Sequence, residues 1–201
     1  MTDLEITTPP SRPSREMDPA RLQFIPESPD DTELLISWLT SDTWPFHGNS
    51  TLTEEKVRAA LAEREEDEKV ISTWVTLDEA VRIGRIVIED LEDLPAIASF
   101  RIRSAYRGRG IGLQMVRWAA NRVFRDFPDV QRVEGQTRID NHAMQRVFRR
   151  AGWQPEAYYR RSWPDQSGTL HDSIGYATLR PDWESGITTP VPWPFDQWGD
   201  R

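Results

Sequence analysis

The sequence predicts a mixed α/β domain, with one sheet of about seven strands and about four helices on its two sides. Two observations carry that expectation and a third makes room for it. Apolar periodicity switches between two and 3.6 in the order β-α-α-β-β-β-α-β-α-β-β. A glycine-spaced cationic turn, Tyr106-Arg107-Gly108-Arg109-Gly110-Ile111-Gly112, stands between an alternating run and an amphipathic helix. The chain has 201 residues, 37% of them hydrophobic and nine of them Trp, enough to bury a single core.

Residues 1–20 carry Pro9, Pro10, Pro13 and Pro19 and read as an extended or mobile arm before the domain proper, 21–183. Arg21 to Ile25 suits a first strand. Asp31 or Thr32 then caps a helix whose apolar face is Leu34, Leu35, Trp38 and Leu39. After the loop 41–50, Thr51 or Thr53 opens a second helix that ends in the acidic run Glu63 to Glu68, a solvated helix end. Strands follow at Val70–Leu77, Val81–Ile88 and Ile97–Arg103. The helix after the glycine turn buries Val116, Ala119, Val123 and Phe127. Gln131–Ile139 reads as a strand, Asn141–Ala151 as a helix, and Trp153–Trp163 with Thr169–Leu179 as a closing hairpin. The tail 184–201 follows Trp183 with Trp193, Phe195 and Trp198 among prolines. Aromatics at that density are expected to pack on this domain or on a second subunit, so a homodimer is one expectation.

Composition narrows the chemistry. The chain has no cysteine, which removes disulfides, thiolate metal sites and a cysteine nucleophile. His47, His142 and His171 lack any metal-ligand spacing, so no metal is expected. The acidic start Met1-Thr2-Asp3-Leu4-Glu5 and the lack of an apolar run of roughly 18 residues predict a cytoplasmic protein with no membrane partner.

The glycine turn has a direct physical reading. At a helix N-terminus the first N–H groups lack intrahelical partners and the macrodipole is positive, so an anion is favoured there. Gly110 and Gly112 let it approach the backbone. From Arg101 to Arg125 there are seven arginines and no Asp or Glu, in a chain of formal net charge -8. That local basicity favours a bound polyanion over a merely solvated face. Neither the Gly-Lys-Ser/Thr of a P-loop nor the third interval of a dinucleotide turn is present.

Read as Arg-x-x-Gly-x-Gly on Arg107, Gly110 and Gly112, the turn resembles the acyl-CoA pyrophosphate loop of the GCN5-related N-acetyltransferases. Asp140-Asn141-His142-Ala143-Met144 through Phe148-Arg149-Arg150-Ala151-Gly152-Trp153 is similar to the family's second signature. Gly168, Asp172, Tyr176 and Arg180-Pro181-Asp182-Trp183 resemble the closing hairpin and final Arg-x-x-Trp of the branch of ribosomal-protein N-terminal acetyltransferases. The resemblance implies a splayed, V-shaped cleft for acetyl-CoA. In it Phe100, Arg101 and Ile102 would pair with the pantetheine arm, Gly108, Arg109, Gly110, Ile111, Gly112 and Leu113 would hold the pyrophosphate, and Arg107, which opens the motif, is a further cofactor-binding residue. Asn141, an N-cap by position, would contact the arm from the other side. It also implies direct transfer of an acetyl group to a primary amine of a small molecule or peptide N-terminus.

Such transfer needs a neutral amine. Where many relatives carry a Glu base and a Tyr acid, this chain has Gln136 and Phe148. Glu134, on the same strand face as Gln136, is then the nearest carboxylate for the base role, with pairing to Arg132 or Arg138 as the alternative. Tyr158 and Tyr159 are candidate proton donors to the departing thiolate. In the loop 42–48, Trp44, Phe46 and His47 are expected to border the acceptor, with core packing the alternative for Trp44. A non-catalytic acyl-CoA-binding module is the second functional reading. Nucleic-acid binding is disfavoured, because few stacking aromatics interleave with the arginines.

Overall fold

The computed structural model describes residues 17–64, 70–78, 80–91 and 95–192. Seven strands form one mixed sheet in the order β1-β2-β3-β4-β5-β7-β6: β1 Leu22–Pro26, β2 Ile71–Leu77, β3 Val81–Glu89, β4 Ala96–Ile102, β5 Arg132–Arg138, β6 Gln154–Pro164 and β7 Leu170–Leu179. The helices are α1 Thr32–Thr40, α2 Glu54–Arg64, α3 Ile111–Asp126, α4 His142–Arg150 and a short α5, Arg180–Ser185.

Strand alternation sends side chains to two cores. On one face Trp38 and Trp44 of the α1 region stack on each other, and Trp38 meets Trp74 of β2 edge-on. On the other, α3 buries Ile111, Met115, Val116, Ala119 and Val123 against Val75, Ile83 and Ile86 of the sheet. Gly84 is needed at that contact, because a Cβ there would stand 3.0 Å from the Arg101 carbonyl and 3.3 Å from Met115.

Asp31 does not cap α1 with its side chain. It closes a reciprocal box with Ser28 one turn earlier and accepts from Trp74 Nε1 at 3.1 Å, so a partner distant in sequence has taken the carboxylate. The end of the expected mobile arm also packs down. Met17 lies against the core and donates its N–H to the Arg109 carbonyl at 2.9 Å. The expected acidic run extends into 65–69, and Trp193, Phe195 and Trp198 into 193–201, both outside the described residues. The helix α5 was not foreseen. Arg180 at its start donates to the carbonyls of Phe124, Phe127 and Val130, tying off the C-terminal end of α3. Trp183 packs on Phe124 and bonds Asn121 through Nε1 at 2.6 Å.

Candidate active site

The sheet parts between β4 and β5. These strands run parallel and pair only at Ala96↔Val133 and Ile97↔Glu134, after which each goes its own way. What wedges them apart is aromatic. A Cβ on Gly135 would lie 2.6 Å from the tip of the Phe148 ring, so the ring rests on the bare backbone just beyond the last paired residue. Phe148 is fixed there by stacking on Tyr176 and Trp153 and by an edge contact with Phe100. The position that could have held a tyrosine acid is thus a structural wedge.

The main chain of β4 is left open along this gap. Arg103 N–H donates to Ile83 of β3, and in an antiparallel pair hydrogen bonds on one side fall on alternate residues, so Phe100 and Ile102 turn their main-chain groups to the gap, where the Ile102 carbonyl accepts from Arg107 Nε and the Phe100 carbonyl faces the His47 ring. Gly110, at φ 82°, turns the chain into α3, and Gly108, at φ 75°, has open space on its Cβ side. Gly112 packs α3 against Val147 of α4 and Ile102 of β4, with a notional Cβ 3.4 and 3.5 Å from them, in ordinary contact.

The gap opens into a cavity of about 400 Å³ lined by Phe100, Arg101, Ile102, Arg107, Gly108, Gly110, Gly112, Leu113 and Asn141 among the expected cofactor residues, and by Trp44, Phe46 and His47. Arg109 and Ile111 lie elsewhere. The Arg109 side chain stacks over Tyr106, and Ile111 is buried in the core at 1% exposure. Arg107, expected among the cofactor residues, lines the cavity with its guanidinium engaged: its Nε donates to the Ile102 carbonyl and its Nη2 to the Thr43 carbonyl, so it staples the strand edge to the α1–α2 loop. Asn141 caps α4 by accepting from Met144 N–H at 3.2 Å, and its amide donates to Thr137. Ala143, Met144, Arg146, Val147 and Arg150 of α4 also line the cavity and were not singled out from sequence. Their spacing of three, four and seven along one helix is the signal that could have found them.

On the loop side Trp44 is a core residue, 1% exposed, with its Nε1 bonded to the Leu39 carbonyl. Phe46 lies under the Arg138 guanidinium. Burial, reinforced by the charges of Arg101 and Arg107 and only partly offset by the Phe100 main chain, pushes the His47 imidazole down to about 3, so it is neutral near pH 7.

Glu134, Gln136, Tyr158 and Tyr159 do not line this cavity; Gln136 stands at its margin on the diverging arm of β5. Glu134 shares a face of β5 with Gln136, but Arg132 Nε holds it at 2.5 Å while its Nη1 holds Glu156. The ion-pair alternative is the one the geometry contains. The Tyr158 hydroxyl donates to Asp172, and both line a separate surface depression. Tyr159 lines that depression too, but its ring also lies across Gly175, the β7 partner of Gln136, with a notional Gly175 Cβ 3.3 Å from the ring. Among the described residues no cluster of three or more His, Asp or Glu could hold a metal, and no helix is long and apolar enough to cross a membrane.

A sheet parted beside a glycine-bounded helix N-terminus, with arginines along the opposite helix, is the architecture of an acyltransferase. Residues 21–154 match the acetyltransferase (GNAT) domain, and the chain belongs to that family. A probable acetyltransferase of known structure is 20% identical, with 81% of this chain and 95% of that one covered at a TM-score of 0.66. Mycobacterium smegmatis RimJ in complex with CoA-disulfide is 14% identical, with 80% and 83% covered and a TM-score of 0.67. Spermidine N-acetyltransferase from Vibrio cholerae in complex with CoA and spermine is 11% identical, with 82% and 99% covered and a TM-score of 0.67. At these identities the likeness is one of fold. Comparison with curated proteins gave no match.

Proposed function

We propose that the protein is an N-acetyltransferase that moves the acetyl group of acetyl-CoA directly to a primary amine. The observation that carries this reading is the unpaired stretch of β4 beyond Ile97, which ends beside the Gly110 N-terminus of α3. Phe100 and Ile102 offer main-chain N–H groups to an extended amide-bearing arm along the edge that a neighbouring strand would use. The first turn of α3 faces the pyrophosphate with N–H groups and a positive dipole. Arg146 and Arg150 supply cations on the α4 side. Bound, the cofactor supplies the acyl group as a thioester.

The protein's part is to align and to exclude water. The wedge of Phe148 and the cap of Asn141 fix the two walls, and orientation of this kind is worth several orders of magnitude in rate. The amine enters from the face that carries Phe46, His47 and Gln136. Tyr159, whose ring lies across Gly175 beside Gln136, is the donor available to the departing sulfur. The likeness in fold to a spermidine acetyltransferase and to RimJ supports an amine acceptor without selecting one.

The test is amine-stimulated thiol release from acetyl-CoA, run beside calorimetric titration with CoA. CoA binding with release supports the reading. CoA binding without release from any amine supports the alternative of a non-catalytic acyl-CoA-binding module, which the absence of a Glu at 136 and of a Tyr at 148 keeps in view.

A further inference from the structure

Gln136 sits on the β5 arm of the opening, two residues past the last pair with β4, and is exposed. Its side chain starts a chain of hydrogen bonds that runs into the β6–β7 hairpin. The Tyr159 carbonyl can only accept, and the Ser162 hydroxyl donates to it at 3.4 Å. Ser162 Oγ lies 2.6 Å from Ser173 Oγ, where either hydroxyl can donate. Ser173 is fully buried, and its Oγ accepts from Gln136 Nε2 at 2.5 Å. The amide nitrogen is committed to the sheet, and Oε1, which accepts no hydrogen bond among the described residues, is the end left for a ligand.

We infer that Gln136 is the positioning residue for the acceptor, receiving an N–H of an already neutral amine on its Oε1, and that the acceptor class is consequently amines of low basicity, such as α-amines. This rests on the acyltransferase reading above. An amide oxygen can align a lone pair but cannot carry a proton away.

No other described group around Gln136 is free to do so. On β5, Glu134 is ion-paired with Arg132, which also holds Glu156 of β6, and Arg138 forks Asp140. In the hairpin Asp165 pairs with His171, and Asp172 accepts from Tyr158 and from Arg161 N–H. Across the opening His47 lines the cavity half-buried beside Arg101 and Arg107, and desolvation with those charges holds the imidazole down to about 3, too weak a base for an amine. The described residues that line the cavity include no carboxylate.

The balance then closes without a protein base. The amine lone pair forms the C–N bond, the C–S bond breaks with its electron pair going to sulfur, and one nitrogen proton passes to the thiolate through water or the Tyr159 hydroxyl, which is regenerated. At pH 7.5 an α-amine of pKa near 8 is free base to an extent on the order of 10²-fold greater than a lysine-type amine of pKa about 10.4. That ratio is the selectivity expected.

The experiment is the pH profile of kcat/KM for thiol release with glycinamide and with an N-α-blocked lysine, in the wild type and in Gln136→Glu and Gln136→Leu. The wild type should prefer glycinamide on the order of 10²-fold at pH 7.5, and the rising limb should move to each amine's own pKa. Gln136→Glu, by adding a proton acceptor, should narrow the preference at least tenfold. Gln136→Leu should lower kcat/KM for both at least tenfold with CoA affinity kept. A limb at the same pH for both amines would mean that a protein group takes the proton, and would overturn the inference. So would unchanged kinetics in Gln136→Leu. Thiol release from neither amine, with CoA still bound, would remove the acyltransferase reading itself.

Discussion

Phe148 and Gly135 set the angle of the cleft: the ring tip lies where a side chain at 135 would begin, 2.6 Å from a notional Cβ. The ring cannot give way, since it is 1% exposed and held between Tyr176, Trp153 and Phe100. Gly135→Ala should therefore destabilise the fold by about 1–3 kcal/mol, the usual cost of overpacking. Urea unfolding checks this, and Phe148→Leu in the same chain should return part of the loss. Stability equal to wild type would mean the wedge is not rigid.

Gly110→Asp places a charge and a side chain where the pyrophosphate is proposed to approach, and should weaken CoA binding more than tenfold, or about 1.4 kcal/mol. Gly110 has φ 82°, so any side chain there strains the backbone. Gly110→Ala isolates that strain. The aspartate should bind CoA more weakly than the alanine by calorimetry, and equal affinities would argue against an anion at the turn.

Glu134→Gln tests the alternative base. With its carboxylate committed to Arg132, its loss should change turnover less than about threefold, far from the 10² or more that follows loss of a general base. A 10²-fold fall that shrinks at high pH would instead make Glu134 the proton acceptor.

His47 gives the fold a pH dependence with a defined sign. Its folded-state value is depressed from 6.5 to about 3, so the unfolded chain binds the extra proton between those limits. The contribution is complete above about pH 6.5 and is lost as pH falls toward 3, with a slope of up to about 1.4 kcal/mol per pH unit. Denaturant melts from pH 7 to 4 should show that slope, and His47→Gln should flatten it. Parallel profiles would place the sensitivity in other groups.

The sheet, its seven strands and four of the helices are legible from alternation and helical spacing alone, because each element keeps one face on a core. The glycine turn is legible too, since Gly108 and Gly110 occupy left-handed φ that other residues resist. The catalytic assignments are not. The pairing of Glu134 with Arg132 was one of two local readings, and Glu156, which shares Arg132, reaches it only through the pairing of β6 with β7 and of β7 with β5. The contact of the Gln136 amide depends on Ser173, brought beside it by the pairing of β7 with β5. Asp31 looked like a helix cap because its sequence neighbours make it one, and Trp74, 43 residues away, claims it instead. Local chemistry is written in short windows, whereas partners across a sheet are not.

The most direct measurement is the rate of thiol release from acetyl-CoA as glycinamide is titrated, near pH 8, with CoA affinity measured on the same preparation. The expected result is CoA binding together with a saturable, amine-dependent release well above the hydrolytic background. CoA bound with release that stays at background for every amine tried would contradict it, and would leave a cleft that holds the cofactor without using it.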